Sequence, residues 1–560
     1  MSWSEREHPL VLELKEAYRK GRISRREFLR KSALLGASLV AMNSFLAGCA
    51  RQAQEAPPEN GEPAPAPGGV VRGGTLRASS VVSRVDHPAR LSWVAPSNML
   101  RNVFEYLSYT DEANITHPYL LERWEASEDL KTWGLYLKKG IRWNNGQEFT
   151  ADDVVFTLKQ WLDPEVGSST LGLMSYLSPG NIEKVNDYEV KLHLANAQIG
   201  VPEHLFHYPN FVLHRSFEGD VLKAPVGTGP FTIQEWLEGE RVVLKRRDGY
   251  WQTGADGQAL PYLDEVIFID LGDEVAPHVT AFQAGRIDHI DFGDLVDIDG
   301  YRALKDFPGA VIQQVTTAST RVLRMRVDRQ PYDDNRVRLA LKLCQDREKI
   351  LSLTYFGEGV VANDAHVAPS HPEYYDLPPL PFDTARAKAL LAEAGYPDGI
   401  DLKLTVASGY PEQVAYAEVL QQDAAAAGFR IQIEPVPTSV YWDQWTEVDL
   451  GITWWGHRPL GTMCLRLAYT AEADGTPVPW NETRWVDQEF QTLLDEAEMT
   501  LDVDERRRII HKLQEIQRDR GSIGIAYWSD AFAIFRKGVE NLQAHPSQYC
   551  QYHDVWLQKA

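Results

Sequence analysis

Cysteine is rare in this sequence: the 560 residues contain four, at positions 49, 344, 464 and 550. Cys49 belongs to a distinct N-terminal segment, and the other three cannot all be paired, which excludes a small disulfide-stabilised scaffold. Long hydrophobic runs are missing as well, since no stretch reaches the about 20 apolar residues that a membrane-spanning helix needs. The catalytic signatures GxSxG, HExxH and CxxC do not occur. We therefore expect a protein that is not an enzyme.

Positive charge is also in deficit. The chain has 57 Lys and Arg against 79 Asp and Glu, a net charge of −22. The first 49 residues carry nine basic and five acidic side chains, so the remainder is more acidic still. Because nucleic-acid binding requires a basic surface, this balance argues against a nucleic-acid partner.

The N-terminal segment predicts export. A basic region containing Arg25 and Arg26 precedes an apolar stretch, residues 32–46, that glycine, serine and asparagine interrupt. This stretch is too short and too polar to span a bilayer, and the arrangement is typical of a cleaved export signal. The run SRREFLR resembles a twin-arginine signal, and LAGC, ending at Cys49, resembles a lipobox. We expect residues 1–49 to act as the signal and Cys49 to be lipidated.

A tether follows the signal. Residues 50–74 are rich in proline, alanine, glutamate and glycine and have few large apolar side chains. Such a composition cannot bury enough surface to offset the entropy of ordering, so it predicts a flexible linker. The folded body is therefore expected in the periplasm or another extracytoplasmic space, held to a membrane surface only by its lipid.

Alternating elements predict an α/β body. Leu402, Leu404 and Val406 alternate as in a strand, residues 413–427 have a helical composition that ends at Gly428, and alternation resumes at residue 431. This order predicts two parallel strands joined by a helix. A second helix is expected after Thr150, which with Asp153 fits a capping box. Residue Cys344 falls on the apolar face of a third predicted helix and is expected in the core.

No metal site is predicted. His204 and His207 are three residues apart and could share a helix face, but no third ligand is recognisable near them. A surface or interface pair is the simpler interpretation. Asp152 and Asp153 could suggest a pair of catalytic carboxylates, but consecutive helical residues point about 100° apart and helix capping explains them.

Five sequence blocks, which follow one another along most of the chain, resemble those of one family. They are similar to the family 5 extracellular solute-binding proteins, the large peptide- and nickel-type receptors of ABC importers. The blocks are LERWE to LKKGIRW with NGQ and FTADDV (residues 121–154), PVGTGPF (225–231), PYLDEV (261–266), PYDD to DREKI (331–350) and LLAEAGY (390–396).

The resemblance implies a fold and a domain organisation. It implies an α/β periplasmic-binding-protein-like fold of two lobes, with an extra inserted subdomain and two hinge crossings between lobes. The expected divisions are lobe 1 over residues 75–318, with the insertion at about 105–222, lobe 2 over 319–527, and a return to lobe 1 over 528–560. It also implies a monomer without a cofactor that delivers its ligand to ABC permease subunits.

The ligand is less determined than the fold. Dipeptide-binding members hold the peptide amine with an aspartate after a Gly-Trp pair and the carboxylate with an arginine in an earlier loop. Here His457 and Arg458 occupy the first region, and the second, residues 407–411, has no arginine. We therefore expect weak binding of simple dipeptides and a ligand that is peptide-like or oligosaccharide-like. A tethered ligand sensor is the alternative function, and a secreted hydrolase would need catalytic groups that are not seen.

The site itself is expected in the cleft between lobes. Residues 450–455 alternate as a strand that runs toward Gly456, and ligands of α/β lobes lie beyond the carboxyl ends of strands. A ligand that binds the closed form better would shift the lobes toward closure. The residues expected to contact it are Trp454, Trp455, His457, Arg458, Arg321 and Trp528.

Overall fold

A mixed eleven-stranded sheet organises the part of the chain that the structure, a computed structural model, describes. That part is residues 69–558 without residues 92, 169, 294–296 and 473. The predicted export signal, with Arg25 and Arg26, the lipidation site Cys49 and the tether up to residue 68 lie outside it.

Nineteen strands and fourteen helices are described. The strands are β1 (Thr75–Ser80), β2 (Ser108–Thr110), β3 (Thr116–Pro118), β4 (Leu121–Ala126), β5 (Thr132–Leu137), β6 (Ile182–Asn186), β7 (Glu189–His193), β8 (Phe231–Leu237), β9 (Arg241–Arg246), β10 (Glu265–Asp270), β11 (His289–Ile290), β12 (Ala310–Met325), β13 (Gly359–Val361), β14 (Ile400–Ala407), β15 (Phe429–Val436), β16 (Leu450–Trp455), β17 (Ile523–Arg536), β18 (Val539–Glu540) and β19 (Trp556–Leu557). The helices are α1 (Val94–Leu100), α2 (Ala151–Trp161), α3 (Thr170–Leu173), α4 (Val201–His204), α5 (Val275–Gln283), α6 (Asp297–Leu304), α7 (Asn335–Leu343), α8 (Arg347–Thr354), α9 (Thr384–Glu393), α10 (Pro411–Ala424), α11 (Thr438–Gln444), α12 (Gly461–Ala468), α13 (Gln488–Glu498) and α14 (Val503–Arg520).

Two long central strands join the two lobes of the fold. The sheet order is β15-β14-β16-β12-β17-β11-β1-β10-β9-β8, with β13 added to β17. We refer to the half of the sheet with β14–β16 as the lobe 2 half and to the half with β1 and β8–β11 as the lobe 1 half, following the predicted divisions. The antiparallel pair β12–β17 continues through both, and its register shifts between Thr316 and Ser319 and again between Thr320 and Val322. These irregularities break the regular ladder where the chain passes between the halves.

Lobe 2 contains the predicted β-α-β unit. Strands β14 and β15 are parallel and in register over their full length, from Ile400 opposite Phe429 to Ala407 opposite Val436. Helix α10 connects them, and the chain leaves the following 3-10 turn at Gly428 in a left-handed conformation with φ of 99°. Cys344 follows α7 and is fully buried in the adjacent apolar core, as expected. The local signals were sufficient here because each element forms from contiguous residues.

A smaller antiparallel sheet, β4-β5-β7-β6, packs with α2 around its own apolar core. The capping box is present: the Thr150 side chain and the Asp153 carboxylate exchange hydrogen bonds with each other's backbone N–H groups at the start of α2. The Asp153 carboxylate also accepts a hydrogen bond of 3.2 Å from Trp143 Nε1. Asp153 is therefore structural, in agreement with the capping interpretation.

His204 and His207 were expected to form a surface or interface pair, and the surface alternative is wrong. Both are buried, with 4% and 5% of their surface exposed, and the His204 Nδ1 atom lies 2.8 Å from the Tyr176 hydroxyl oxygen. Burial lowers the pKa of His204 to about 3, so its ring stays neutral. The two residues also do not share a helix, since α4 ends at His204 and His207 lies in the bend that follows.

Candidate functional site

A cavity of about 410 Å³ is lined by residues from both lobes. Its size falls within the about 300–1,000 Å³ that is usual for small-molecule sites. The lobe 1 side contributes the start of α1, Tyr208 and the segment 546–549, and the lobe 2 side contributes α11, β16 and residues 456–458. Six tryptophans dominate the lining: Trp93, Trp442, Trp445, Trp454, Trp455 and Trp480.

Strand β16 carries the centre of this lining. It lies inside the sheet, antiparallel to β12 and parallel to β14, and all its residues except Trp454 are buried. Its carboxyl end opens at Gly456, so residues 456–458 emerge directly into the cavity wall. The predicted strand and its direction toward Gly456 are observed.

The two adjacent tryptophans of β16 lie on opposite faces. Trp454 is opposite Arg321 of β12 and Trp455 is opposite Thr320, and paired residues share a face of the sheet. Trp454 is half-buried and lines the cavity. Trp455 is only 4% exposed, joins the lobe 2 core and donates from Nε1 to Glu482 Oε1 at 2.9 Å. Trp454 is thus the residue of the pair that a ligand can reach with its ring face.

The other rings form an edge-to-face series across the cavity. The centroids of Trp93 and Trp442 are 6.2 Å apart at an interplanar angle of 84°, and Trp442 meets Trp445 at 5.7 Å and 62°. Trp480 stands at 78° to Trp445 and at 72° to Trp455. Edge-to-face packing is a preferred arrangement of aromatic rings, and it holds these side chains together as one aromatic wall.

Both ring nitrogens of His457 form hydrogen bonds within the protein. Its Nδ1 accepts a hydrogen bond of 2.9 Å from the backbone N–H of Ala318, so the ring proton is on Nε2 and is donated to Asn114 Oδ1 at 3.1 Å. Burial holds the pKa of His457 well below its usual value, and the charges of neighbouring histidines and Arg458 lower it further. A neutral ring with both nitrogens engaged positions the cavity wall and has no nitrogen left for a ligand.

Asn114 connects the β2–β3 hairpin to lobe 2. Its Nδ2 donates to the backbone carbonyls of Ser370 (3.2 Å) and Pro459 (2.9 Å), and its Oδ1 accepts from His457. Asn114 has φ of 62°, a left-handed conformation that asparagine tolerates better than most residues. We call these three hydrogen bonds the Asn114 bridge.

Substitution of Asn114 by glycine should favour the open arrangement of the lobes. Glycine keeps the left-handed backbone without strain but removes three hydrogen bonds of about 0.5–1.5 kcal/mol each. Small-angle X-ray scattering of the ligand-free protein should show a larger radius of gyration. The matched control is Asn541→Gly, since Asn541 has φ of 64° and its side chain donates to the nearby Asp554 carbonyl. Identical scattering of Asn114→Gly and wild type would show that the bridge does not hold the lobes.

Arg458 lines the cavity without a carboxylate partner in the described part of the chain. Its Nη1 donates to the backbone carbonyls of His457 (3.0 Å) and Gly456 (3.4 Å), and its buried Nε has no hydrogen-bond partner there. A salt bridge of Arg458 within its own lobe, the simplest alternative to ligand contact, is not found among the described residues.

Arg321 has a different environment. It forms a buried ion pair with Glu412, Nε to Oε1 at 2.9 Å, with 5% and 3% of the two side chains exposed. Both residues line a second, much smaller cavity of about 30 Å³ that shares Ser319, Trp454 and Gln548 with the large one. Arg321 is therefore next to the site but already neutralised.

The small cavity is acidic. Asp297 lies in its wall and accepts hydrogen bonds from the Tyr355 hydroxyl (2.6 Å) and the Phe532 backbone N–H (3.1 Å). Burial raises the pKa of Asp297 to about 6, although these hydrogen bonds and Arg321 favour its ionised form. Asp530 and Glu412 complete the acidic part of the wall.

The six predicted contact residues are only partly brought together. Trp454, Trp455, His457 and Arg458 line the large cavity, whereas Arg321 lines the small one. Trp528 lines neither, because it is 1% exposed and packs in the lobe 2 core. Sequence reasoning missed the contributions of lobe 1, which are Trp93, Tyr208 and the segment 546–549. Nothing in their local sequence marks them, since they meet β16 only in the folded chain.

Three further observations concern the described residues alone. None of their helices is both long and apolar enough to cross a membrane. No cluster of three metal-ligating side chains occurs among them. Cys344, Cys464 and Cys550 are unpaired, and burial raises the pKa of Cys344 and of Cys464 to about 12, so these two stay protonated thiols.

Comparison with protein families gives one extended match. Residues 116–471 match the family described as bacterial extracellular solute-binding proteins, family 5. This range includes β16 and the segment that follows it.

Individual proteins agree with this match. The dipeptide-binding protein of Escherichia coli is 26% identical over 465 residues, 77% of this chain and 84% of that protein. Heme-binding protein A of Haemophilus influenzae is 25% identical over 475 residues, 78% and 83% of the two chains. A solved structure of the periplasmic binding protein DppA from Helicobacter pylori with the peptide STSA has a TM-score of 0.75 at 21% identity and covers 87% of this chain and 99% of its own. The two-lobe fold is thereby shown, and these relatives differ in what their names say they bind.

Proposed function

We propose that this chain, which belongs to the bacterial extracellular solute-binding proteins of family 5, captures a small solute in the cavity between its lobes for an ABC importer. The observation that carries this proposal is the 410 Å³ aromatic cavity, whose wall both lobes supply. A ligand there touches both halves at once, so it can stabilise their closed arrangement, and it can leave when they open.

Lobe movement is the proposed means of capture. The predicted divisions place lobe 1 at residues 75–318 and 528–560 and lobe 2 at 319–527. The register shifts of β12 near Ser319 support a hinge at that position, because an interrupted ladder bends more easily than a regular one. The Asn114 bridge supplies an additional contact between the hairpin and lobe 2.

Export by the twin-arginine route and lipid anchoring remain part of the proposal. The tether and lipid would keep the receptor near the permease without a spanning segment. Cys49→Ser should release the protein from the membrane fraction, and Arg25→Lys with Arg26→Lys should block export. These outcomes are measured by fractionation and immunoblotting. A Cys49→Ser protein that still requires detergent for release would contradict lipidation at this residue.

The function is tested by asking what the protein carries and what it delivers. Protein purified from its host, or dialysed against host growth medium, should retain one small solute per chain, identified by mass spectrometry after denaturation. A strain lacking the gene should lose uptake of that solute and regain it with a plasmid copy. Retention without an effect on uptake would favour a ligand sensor instead. Failure to retain any solute would contradict the proposal itself.

A further inference from the structure

We propose that the solute is an anionic ring compound: it presents a flat ring face to Trp454 and a carboxylate or phosphate to Arg458. This inference rests on the proposed function and specifies the ligand of the same cavity. It follows from the charges of the wall, the pairing of those charges and the arrangement of the rings.

The wall of the large cavity carries charge of one sign. Arg458 is the one charged side chain among its described lining residues, and neither aspartate, glutamate nor lysine is present there. The overall acidity of the chain is thus not repeated in the described lining of this cavity, where the charged side chain is a guanidinium. A ligand with an anionic group gains from this field, and a neutral one does not.

The guanidinium of Arg458 is available for a two-pronged contact. Its hydrogen bonds go to backbone carbonyls that carry no full charge, and its buried Nε has no partner in the described part of the chain. Since this partly buried cation has no counter-charge in the described part of the chain, an arriving anion forms a charge-assisted hydrogen bond that no carboxylate of the protein already makes. The planar fork of arginine matches a carboxylate or phosphate in particular.

A second guanidinium without a described carboxylate partner lies behind the lobe 1 wall. Arg101 is 2% exposed, bonds to Asn98 Oδ1 (3.0 Å) and Ser97 Oγ (2.9 Å), and has no partner for Nη1 among the described residues. Its guanidinium stands 3.8 Å from the ring centre of Tyr549, which lines the cavity. Tyr549 and Arg458 line the same cavity, so Arg101 lies one side chain behind the wall that carries Arg458.

The rings would by themselves also suit a cation. Aromatic faces attract quaternary ammonium groups, and six tryptophans could form such a cage. The two guanidinium groups exclude that occupant because they repel a second positive charge in a wall of low dielectric. The combination of aromatic faces and unneutralised cations therefore selects a ring with a negative group.

The small cavity orients the ligand. It meets the large cavity at Trp454. Its acidic wall is formed by Asp297, Glu412 and Asp530, and the one cation among its described lining residues, Arg321, is paired with Glu412. An anionic group is repelled from this end and drawn to Arg458. The ring of the ligand is then held over Trp454, for which no aromatic neighbour is described within the chain.

Calorimetry with matched probe pairs tests the inference. The pairs are D-glucuronate with D-glucose, for a sugar acid, and indole-3-acetate with indole-3-acetamide, for an aromatic acid. At least one acid should bind tenfold or more tighter than its neutral partner, and the pair that responds identifies the ring type. Equal binding within both pairs, binding of neither acid, or tighter binding of Ala-Ala than of both acids would overturn the proposal.

Variants connect the effect to Arg458. Arg458→Gln should weaken the responding acid ten- to hundredfold and leave its neutral partner unchanged, and Arg458→Lys should recover part of the loss. Arg508→Gln is the control, since Arg508 is exposed on α14, outside the cavity, and pairs with Glu505. Wild-type affinity of Arg458→Gln for the acid would contradict the assignment. A neutral or cationic solute recovered from the purified protein would overturn the ligand class but leave the receptor function intact.

Discussion

Glu482→Gln should lower the free energy of unfolding by about 3–5 kcal/mol, because it leaves a buried arginine without its counter-charge. Glu482 and Arg324 are both fully buried, with Nε and Oε2 at 3.2 Å. Glu482 also accepts hydrogen bonds from Thr453 Oγ1 (2.6 Å) and Trp455 Nε1 (2.9 Å). Burial raises the pKa of Glu482, and the charge of Arg324 and the hydrogen bonds from Thr453 and Trp455 oppose this rise. The same carboxylate therefore supports the fold and fixes the aromatic wall of the cavity.

Urea unfolding measures this loss, and two variants control it. Glu505→Gln removes the partner of Arg508 in an exposed ion pair, which should cost about 1 kcal/mol or less. Arg324→Met with Glu482→Met removes both buried charges and should be more stable than Glu482→Gln alone. A Glu482→Gln protein within about 1 kcal/mol of wild type would mean that Arg324 is compensated by its backbone partners, the carbonyls of Trp445 and Val448.

Trp454→Ala should reduce solute affinity about hundredfold. A tryptophan that buries about 100 Å² against a ring contributes about 2.5 kcal/mol, and stacking adds about 0.5–1.5 kcal/mol. The loss of about 3 kcal/mol corresponds to roughly two orders of magnitude in the dissociation constant. Trp454 is the lining residue for which this is expected because it is half-buried, belongs to both cavities and has no ring packed on it among the described residues.

The measurement is the amount of the co-purified solute retained per chain, or its affinity once it is identified. Trp454→Phe should keep most of the binding, since it preserves a ring on the strand. Trp124→Ala is the matched control, because Trp124 is partly buried on β4 in the smaller sheet and outside the cavity. Far-ultraviolet circular dichroism confirms that each variant is folded. Unchanged retention by folded Trp454→Ala would place the solute elsewhere.

Simple dipeptides remain poor candidates for this site. The segment after β16 carries His457 and Arg458 in the region where dipeptide-binding members have an aspartate. The loop after β14 contains no arginine. The acidic side chains that the structure does place nearby, Asp297 and Glu412, face the 30 Å³ cavity. The described lining of the large cavity contains neither of these carboxylates, so they do not replace the missing aspartate there.

The local elements were predictable because their signals are local. Alternation at Leu402, Leu404 and Val406 identified β14, and the capping pair Thr150 and Asp153 identified the start of α2. A cap or an alternating strand needs only a few neighbouring residues, whose backbone geometry fixes where their side chains point. The end of β16 immediately before Gly456 was predictable for the same reason.

The composition of the site was predictable only in part. The sequence indicated the tryptophans of β16 as a group, but not that Trp454 faces the cavity while Trp455 serves the core. Alternation assigns the two rings to opposite faces and leaves open which face the rest of the protein covers. Trp528 illustrates the same point, because it is 1% exposed on a part of β17 whose residues are buried on both faces.

The sequence by itself determined the β-α-β unit of lobe 2, the α2 cap and, through ordered family blocks, the two-lobe fold. Only the tertiary structure decided which charges are neutralised: Arg321 and Arg324 have buried carboxylates, whereas Arg458 has none in the described chain. It also decided that Asn114 meets His457, 343 residues away. Ion pairing and burial of this kind depend on residues that are distant in sequence, so they are determined only when the chain adopts its tertiary fold.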